Sequence, residues 1–300
     1  MSWGTQAALL LTPYLAGTLL LLLVPALLTL ALAFTGYDTL TPPVWRGLQN
    51  FVTLARDVRV GQAFQNTLIY VALAVPLRVA AALALALWLQ GRRPGAGWVR
   101  AAVYVPSVVP PVAYALAGLW LLNPLYGPVN LALGALGLPA PAWLAEAGPA
   151  RVAVALLAVF QIGEGFVVLL AARRGLSPEV LAAATVDGAG AWATFRYIVR
   201  PLLQPWLVLL TLRDVALSFQ NAFAAAYLMT GGGPYYATLF LPLLAHEEAF
   251  GGFRYGEAAA LMLAAQVAVA AVGFVALVTA AALIAVFWAL WRGWGGAEEW

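Results

Sequence analysis

LSPEVLAAATVDGAGAWATFRYIVRPLLQP, residues Leu176 to Pro205, sets a proline, charges, glycines and helix-forming alanines between two long apolar segments. Ser177-Pro178-Glu179 reads as a helix start: a hydroxyl at the N-cap, proline at the first helical position and a carboxylate beside the positive end of the helix dipole. The alanine-rich run to Val186 predicts a helix, and Asp187-Gly188 breaks it. Trp192, Phe195 and Ile198 then recur at helical spacing, the apolar stripe of a second short helix. Arg196 and Arg200 lie off that stripe, and Pro201 opens the next apolar segment. Two short helices around a glycine hinge predict a projecting knob. The alternative is a plain linker between its neighbours.

Those neighbours decide the fold class. The 300 residues are 64% hydrophobic and 9% charged, far from the roughly 25% charge of soluble domains, so the chain is an integral membrane protein. All 15 basic residues are arginine. Without lysine the chain cannot carry the phosphate-gripping P-loop lysine, so any ATP that drives it is bound, with its Mg, on another subunit. Cysteine is absent, which excludes disulfides, thiolate metal sites and a cysteine nucleophile. A single histidine, His246, argues against a His-rich metal site, and a net charge of +3 is too small to imply nucleic acid. The N-terminal apolar run reaches about Phe34, too long for a signal-peptide core of roughly 7 to 15 residues, and is expected to remain as a span.

A bilayer core takes roughly 20 apolar residues per helix, and six segments qualify, near 8–34, 67–90, 101–122, 151–172, 203–228 and 258–291. Arg92, Arg93, Arg100, Arg173, Arg174, Arg196, Arg200 and Arg292 fall in 91–100, 173–202 and the C-terminus. The other connections, about 35–66, 123–150 and 229–257, carry fewer arginines mixed with carboxylates. The positive-inside rule makes the first set, and both termini, cytoplasmic. Loops 123–150 and 229–257 are rich in proline, glycine and aromatics, which predicts compact turns and short interfacial helices. The expected architecture is all-α and polytopic: one membrane domain over residues 1–300, with the 176–205 knob in the cytosol.

The pattern A-A-x-V-D-G-A-x-x-W-x-x-F-x-x-I-x-x-P-x-x-x-P, Ala183 to Pro205, resembles the EAA loop of ABC importer permeases. Asp-Gly-Ala followed by tryptophan, phenylalanine and isoleucine at this spacing is similar to the carbohydrate-uptake (maltose/glycerol-phosphate type) group. The likeness extends along the chain: Phe34-Thr35-Gly36-Tyr37-Asp38, Gly47-Leu48-Gln49-Asn50-Phe51, Asn66-Thr67, VPSVVPPVAYALAGLWLLNPLYGPVN at 105–130 and LMTGGGP at 228–234. The resemblance implies a permease subunit of a binding-protein-dependent sugar importer, working by alternating access and performing no catalysis itself. It implies a second permease, identical or not, two cytoplasmic ATPase subunits, and an external sugar-binding protein delivering to loops 123–150 and 229–257. It places the chain in a bacterial or archaeal cell membrane. Glu179, Ala183, Asp187, Gly188, Ala189, Trp192 and Phe195 would meet the ATPase. The family's glutamate falls at Ala182, so Glu179, one turn earlier, either replaces that carboxylate or serves only the helix start.

Ionisable groups at membrane depth are costly and mark function by default. Here they are Arg78, Glu164, Arg213 and Asp214, with Gln161, Gln220, Asn221 and Gln266 as neutral company. Gln161 and Glu164 are spaced to share one helical face, and so are Asp214, Ser218 and Asn221. A neutral sugar needs such hydroxyl and amide partners and an aromatic face such as Phe219. The resemblance puts the sugar site between these two spans, which makes Gln161, Glu164, Ser218, Phe219 and Asn221 the candidate substrate contacts. The competing reading pairs the charges for packing, Arg213 with Asp214 or Glu164 with Arg78. Tyr227, Tyr235, Tyr236 and the tryptophans at 288, 291 and 294 read as interfacial anchors. The rival functions are a proton-coupled secondary transporter using Glu164 or Asp214, which leaves the knob unexplained, and a membrane hydrolase, for which no H-E-x-x-H or G-x-S-x-G is present.

Overall fold

The computed structural model describes residues 3–91 and 94–295, with side chains other than those of residues 3, 4, 220, 221, 280 and 283–295. Among the described residues, four helices are long and apolar enough to cross a bilayer alone: Thr5–Leu32, Val58–Trp88, Ala191–Phe219 and Tyr255–Thr279. Two pairs, Ala96–Val108 with Pro111–Leu121 and Ala147–Val159 with Gly163–Arg174, reach that length together and bend by 103° and 45° at their breaks. With each pair counted as one, there are six spans in chain order, as the hydropathy implies.

Their ends differ from the sequence expectation in two instructive places. The second span starts at Val58 rather than 67, because Arg59 tolerates the helix by pairing with Asp57 and Glu248. The fifth starts at Ala191 rather than 203: the second knob helix is no separate element but the first turns of that span. A π turn at Phe195–Val199, in which the Arg200 N–H bonds the carbonyl of Phe195, absorbs Pro201. A proline that lacks an N–H sits without cost at the start of the α-stretch that follows.

The described residues form two compact units. One comprises the residues up to Ala63 together with Leu241–Val267. Here the first span has no buried residue in its apolar window, so its leucines lie on the outside of the chain. Its threonines return their hydroxyls to the chain, Thr12 to the Ala8 carbonyl and Thr29 to that of Pro25. Beyond it, strands β1 (Thr35–Gly36) and β2 (Val44–Trp45) pair antiparallel, Thr35 with Trp45 and Gly36 with Val44. Buried Asn50 donates to the Ala33 and Thr35 carbonyls at 2.9 and 2.8 Å, closing the helix end onto the hairpin. Gly256 lets the Thr35 carbonyl approach where any Cβ would collide with it. Glu248, almost fully buried, accepts from Arg59 at 2.8 Å and Arg254 at 2.6 Å.

The second unit, Phe64–Phe240 with the residues from Ala268 on, carries the candidate site. Ala82 and Ala86 of the second span pack against Ile162, Phe166, Leu169 and Leu170 of the fourth and Leu210 of the fifth. Small residues on one helix permit this close approach, the usual basis of helix association in lipid. The loop after the third span is compact, as its prolines and glycines imply, with a short helix at Pro128–Ala135. Buried Asn130 holds the Pro124 and Pro141 carbonyls and accepts from the Trp143 indole. Asn66 donates to the Tyr236 and Leu239 carbonyls and accepts from Arg151.

Candidate functional site

The four ionisable residues at mid-span form one chain of alternating charge. Arg78 of the second span lies 3.6 Å from Asp214 of the fifth, Asp214 lies 3.1 Å from Arg213, and Arg213 pairs with Glu164 of the fourth. The Arg78 and Asp214 side chains are 8% and 9% exposed, those of Arg213 and Glu164 36% and 55%. The pairing of Arg213 with Asp214 follows the sequence reading. Glu164, however, pairs with Arg213, not with Arg78; the register of the spans brings Asp214 to Arg78 instead.

Gln161 and Glu164 do not share one helical face. The fourth span breaks between Val159 and Gly163, leaving Gln161 in the break and Glu164 in the first turn of the second half. The Gln161 carbonyl accepts from Arg78 at 3.4 Å. Ser218 and Phe219 are buried within the chain, and the Ser218 hydroxyl has no hydrogen-bond partner among the described residues. The Asn221 and Gln220 side chains, and those of the tryptophans at 288, 291 and 294, lie outside the described ones. Tyr227, Tyr235 and Tyr236 are largely exposed, as anchors would be.

The knob is a helix, Pro178–Val186, closed by a Schellman turn. Gly188 takes φ +77 and its N–H bonds the Thr185 carbonyl at 3.1 Å, while the Ala189 N–H reaches back to Ala184 at 2.9 Å. This 5→2 and 6→1 pair requires a left-handed residue after the last turn, the physical content of Asp-Gly-Ala. The helix start differs from expectation in one respect: the Ser177 hydroxyl donates to the Glu179 carboxylate instead of receiving a backbone N–H. That bond holds Glu179 below the usual carboxylate range. Ala184 is the buried anchor; Glu179, Ala183, Asp187, Gly188 and Trp192 are exposed, while Ala189 and Phe195 are half-buried. Val186 and Trp192 are 87% and 72% exposed, and the Trp192 ring leans on Phe195 with centroids 5.6 Å apart.

Comparisons with known proteins point one way. The chain is 31% identical over 272 residues, covering 89% of itself and 86% of the relative, to the probable ABC transporter permease protein YesP of Bacillus subtilis. It is 30% identical over 217 residues, 71% of the chain and 72% of the relative, to the sn-glycerol-3-phosphate transport system permease protein UgpA of Yersinia pestis. The lactose transport system permease protein LacF of Rhizobium radiobacter is 28% identical over 258 residues, 83% of the chain and 85% of the relative. Among solved structures, the fold is similar to a chain of a bacterial ABC transporter involved in import of the acidic polysaccharide alginate, with TM-score 0.77, 24% identity and coverage of 93% of this chain and 95% of that one. No family model matches.

Proposed function

Because the chain belongs to the ABC transporter permeases of carbohydrate-uptake systems, we propose that it is the membrane subunit through which a sugar crosses by alternating access, driven by ATP hydrolysed elsewhere. The chain itself binds no cofactor and performs no covalent chemistry. Its partners are a second permease, two cytoplasmic ATPase subunits that meet the knob at Glu179, Ala183, Asp187–Ala189, Trp192 and Phe195, and an external sugar-binding protein. Both termini are cytoplasmic in a bacterial or archaeal membrane.

The observation that carries this reading is the continuity of the fifth span from the knob to the ionic chain. Trp192 and Arg213 stand on one helix, about 30 Å apart at 1.5 Å per residue, so a displacement imposed on the exposed tryptophan is delivered at membrane depth. The half-exposed Glu164–Arg213 pair supports the other end of the lever. Charged groups at that depth do not face lipid, where they cost about 3 kcal/mol or more; they turn to a water-filled path or to the second permease. Glu164 and the Gln161 amide are then the groups of this chain open to a sugar, while Ser218 and Phe219 are buried.

The test is uptake by the purified complex in proteoliposomes, with labelled lactose, other neutral oligosaccharides and sn-glycerol-3-phosphate as probes. ATP-dependent uptake of at least one, lost in Glu164→Ala with assembly intact, is the expected result. Uptake that follows a proton gradient and needs no ATP would replace this reading with secondary transport.

A further inference from the structure

No proline makes the break in the fourth span. Helix breaks in membranes are commonly made by proline, yet none stands between Val152 and Gly175, and Gly163 and Gly165 only lower the preference for helix. A broken helix in lipid strands backbone groups that water cannot satisfy, at several kcal/mol each. Something else must hold those groups, and the neighbouring spans do. The Tyr114 hydroxyl of the third span donates to the Leu157 carbonyl at 2.7 Å, adding to a longer 3.3 Å bond from the Phe160 N–H; an unbroken helix would give this acceptor to the Gln161 N–H. That N–H turns to Ala158 at 3.2 Å instead. On the far side, the Gly163 N–H donates to the Ser107 hydroxyl at 2.8 Å. Ser107 thus caps from another helix an N-terminus whose own N-cap, Ile162, provides no side-chain acceptor. Between them, Arg78 of the second span supports the Gln161 carbonyl.

The fit is close. A Cβ on Gly163 would lie 2.7 Å from the Ser107 hydroxyl and 2.9 Å from the Tyr104 Cα, so glycine is what lets the third span reach the break.

We propose that Ser107, Tyr114 and Arg78 are positioning residues that hold the fourth span broken and so set where Gln161 and Glu164 stand at membrane depth. This rests on the reading that those two residues face the transported sugar. With the bracket removed, the cheapest way to satisfy the freed groups is an unbroken helix, Gln161 N–H to Leu157 and Gly163 N–H to Val159. The first-turn amides of Ile162, Glu164 and Gly165 would gain acceptors at the same time.

Amide hydrogen exchange of residues 160–166, in the assembled complex in lipid nanodiscs, reads this directly. In the double variant S107A/Y114F exchange there should slow, roughly fivefold or more per bond gained, with the 178–186 knob and the melting temperature unchanged. S107T/Y114F, which keeps the hydroxyl cap, should restore wild-type exchange at Glu164 and Gly165. Unchanged or faster exchange in S107A/Y114F overturns the proposal, because the break would then be intrinsic to the sequence. Should the double variant fail to assemble, S107A and Y114F singly carry the same test, each at its own end of the break. Uptake of the same labelled sugars separates the two claims: a straightened span with undiminished uptake refutes the sugar-facing role, whereas an unaltered span refutes the bracket.

Discussion

Removing Asp214 should damage the protein more than removing Arg78, although the two are partners. Asp214 is the centre of the ionic chain, with Arg78 at 3.6 Å on one side and Arg213 at 3.1 Å on the other. In Asp214→Ala the buried Arg78 guanidinium keeps, among the described residues, only the Gln161 carbonyl at 3.4 Å, an uncompensated buried charge that costs about 3 to 5 kcal/mol. Arg78→Ala leaves Asp214 its bond to Arg213, so the loss is that of one charged contact, about 1 to 3 kcal/mol. Arg78→Met with Asp214→Leu removes both charges and restores apolar volume, and should lie within about 1 to 2 kcal/mol of wild type. Arg213 is spared in every variant because Glu164 remains beside it. Denaturant titration of the purified complex in lipid, run as a double-mutant cycle, gives the coupling energy directly. Equal effects of the two single variants that simply add in the double would refute the reasoning, since Arg78 would then have water or another anion in reach.

Three further outcomes follow from the same structure. Gly188→Val places a β-branched side chain at φ +77, where left-handed backbone costs roughly 1 to 2 kcal/mol; it should leave insertion intact and uncouple ATP hydrolysis from uptake, and full transport by this variant would show the Schellman turn to be dispensable. A topology reporter near Gly188 should be cytoplasmic and one near Gly232 external; the reverse would remove the knob from the ATPase. The Arg59 hydrogen bond holds Asp57 below the usual carboxylate range, so its stabilisation is complete above about pH 4 and disappears as pH falls through the lowered value; acid titration of proteolysis in the loops around Asp57 and Glu248 should show a loosening that Asp57→Asn removes.

What could be read from residues alone was what depends on local chemistry or on length. Six spans follow from apolar length and the knob from Ser-Pro-Glu and Asp-Gly, because capping and left-handed glycine act within a few residues. Even the departures there are local: Pro201 reads as the start of a span because the π turn at Phe195–Val199 has no sequence signature.

The pairings across spans were of another kind. A periodicity fixes which residues share a face, but it does not fix the height or rotation at which that face meets the next helix, so Arg78 could be assigned to Glu164 as readily as to Asp214. The break at Gln161 is the stronger case. The segment from Ala147 to Arg174 has no proline near the break, only the weak helix-formers Gly163 and Gly165, and what we propose holds it broken stands about 50 residues earlier, in a serine and a tyrosine that look unremarkable in their own span. Each carries a hydroxyl that lipid would penalise; the serine could return its own to the preceding turn, as Thr12 and Thr29 do, whereas the tyrosine hydroxyl, at the end of a rigid ring, must find its acceptor on another element. Ser107 and Tyr114 both direct their hydroxyls to another span. Their cost in the third span is offset only if the fourth is broken, and the break is tolerable only if they are present. Two elements that each violate the preference for regular helix thus satisfy one another, and a dependence of that form lies in no single segment of the chain.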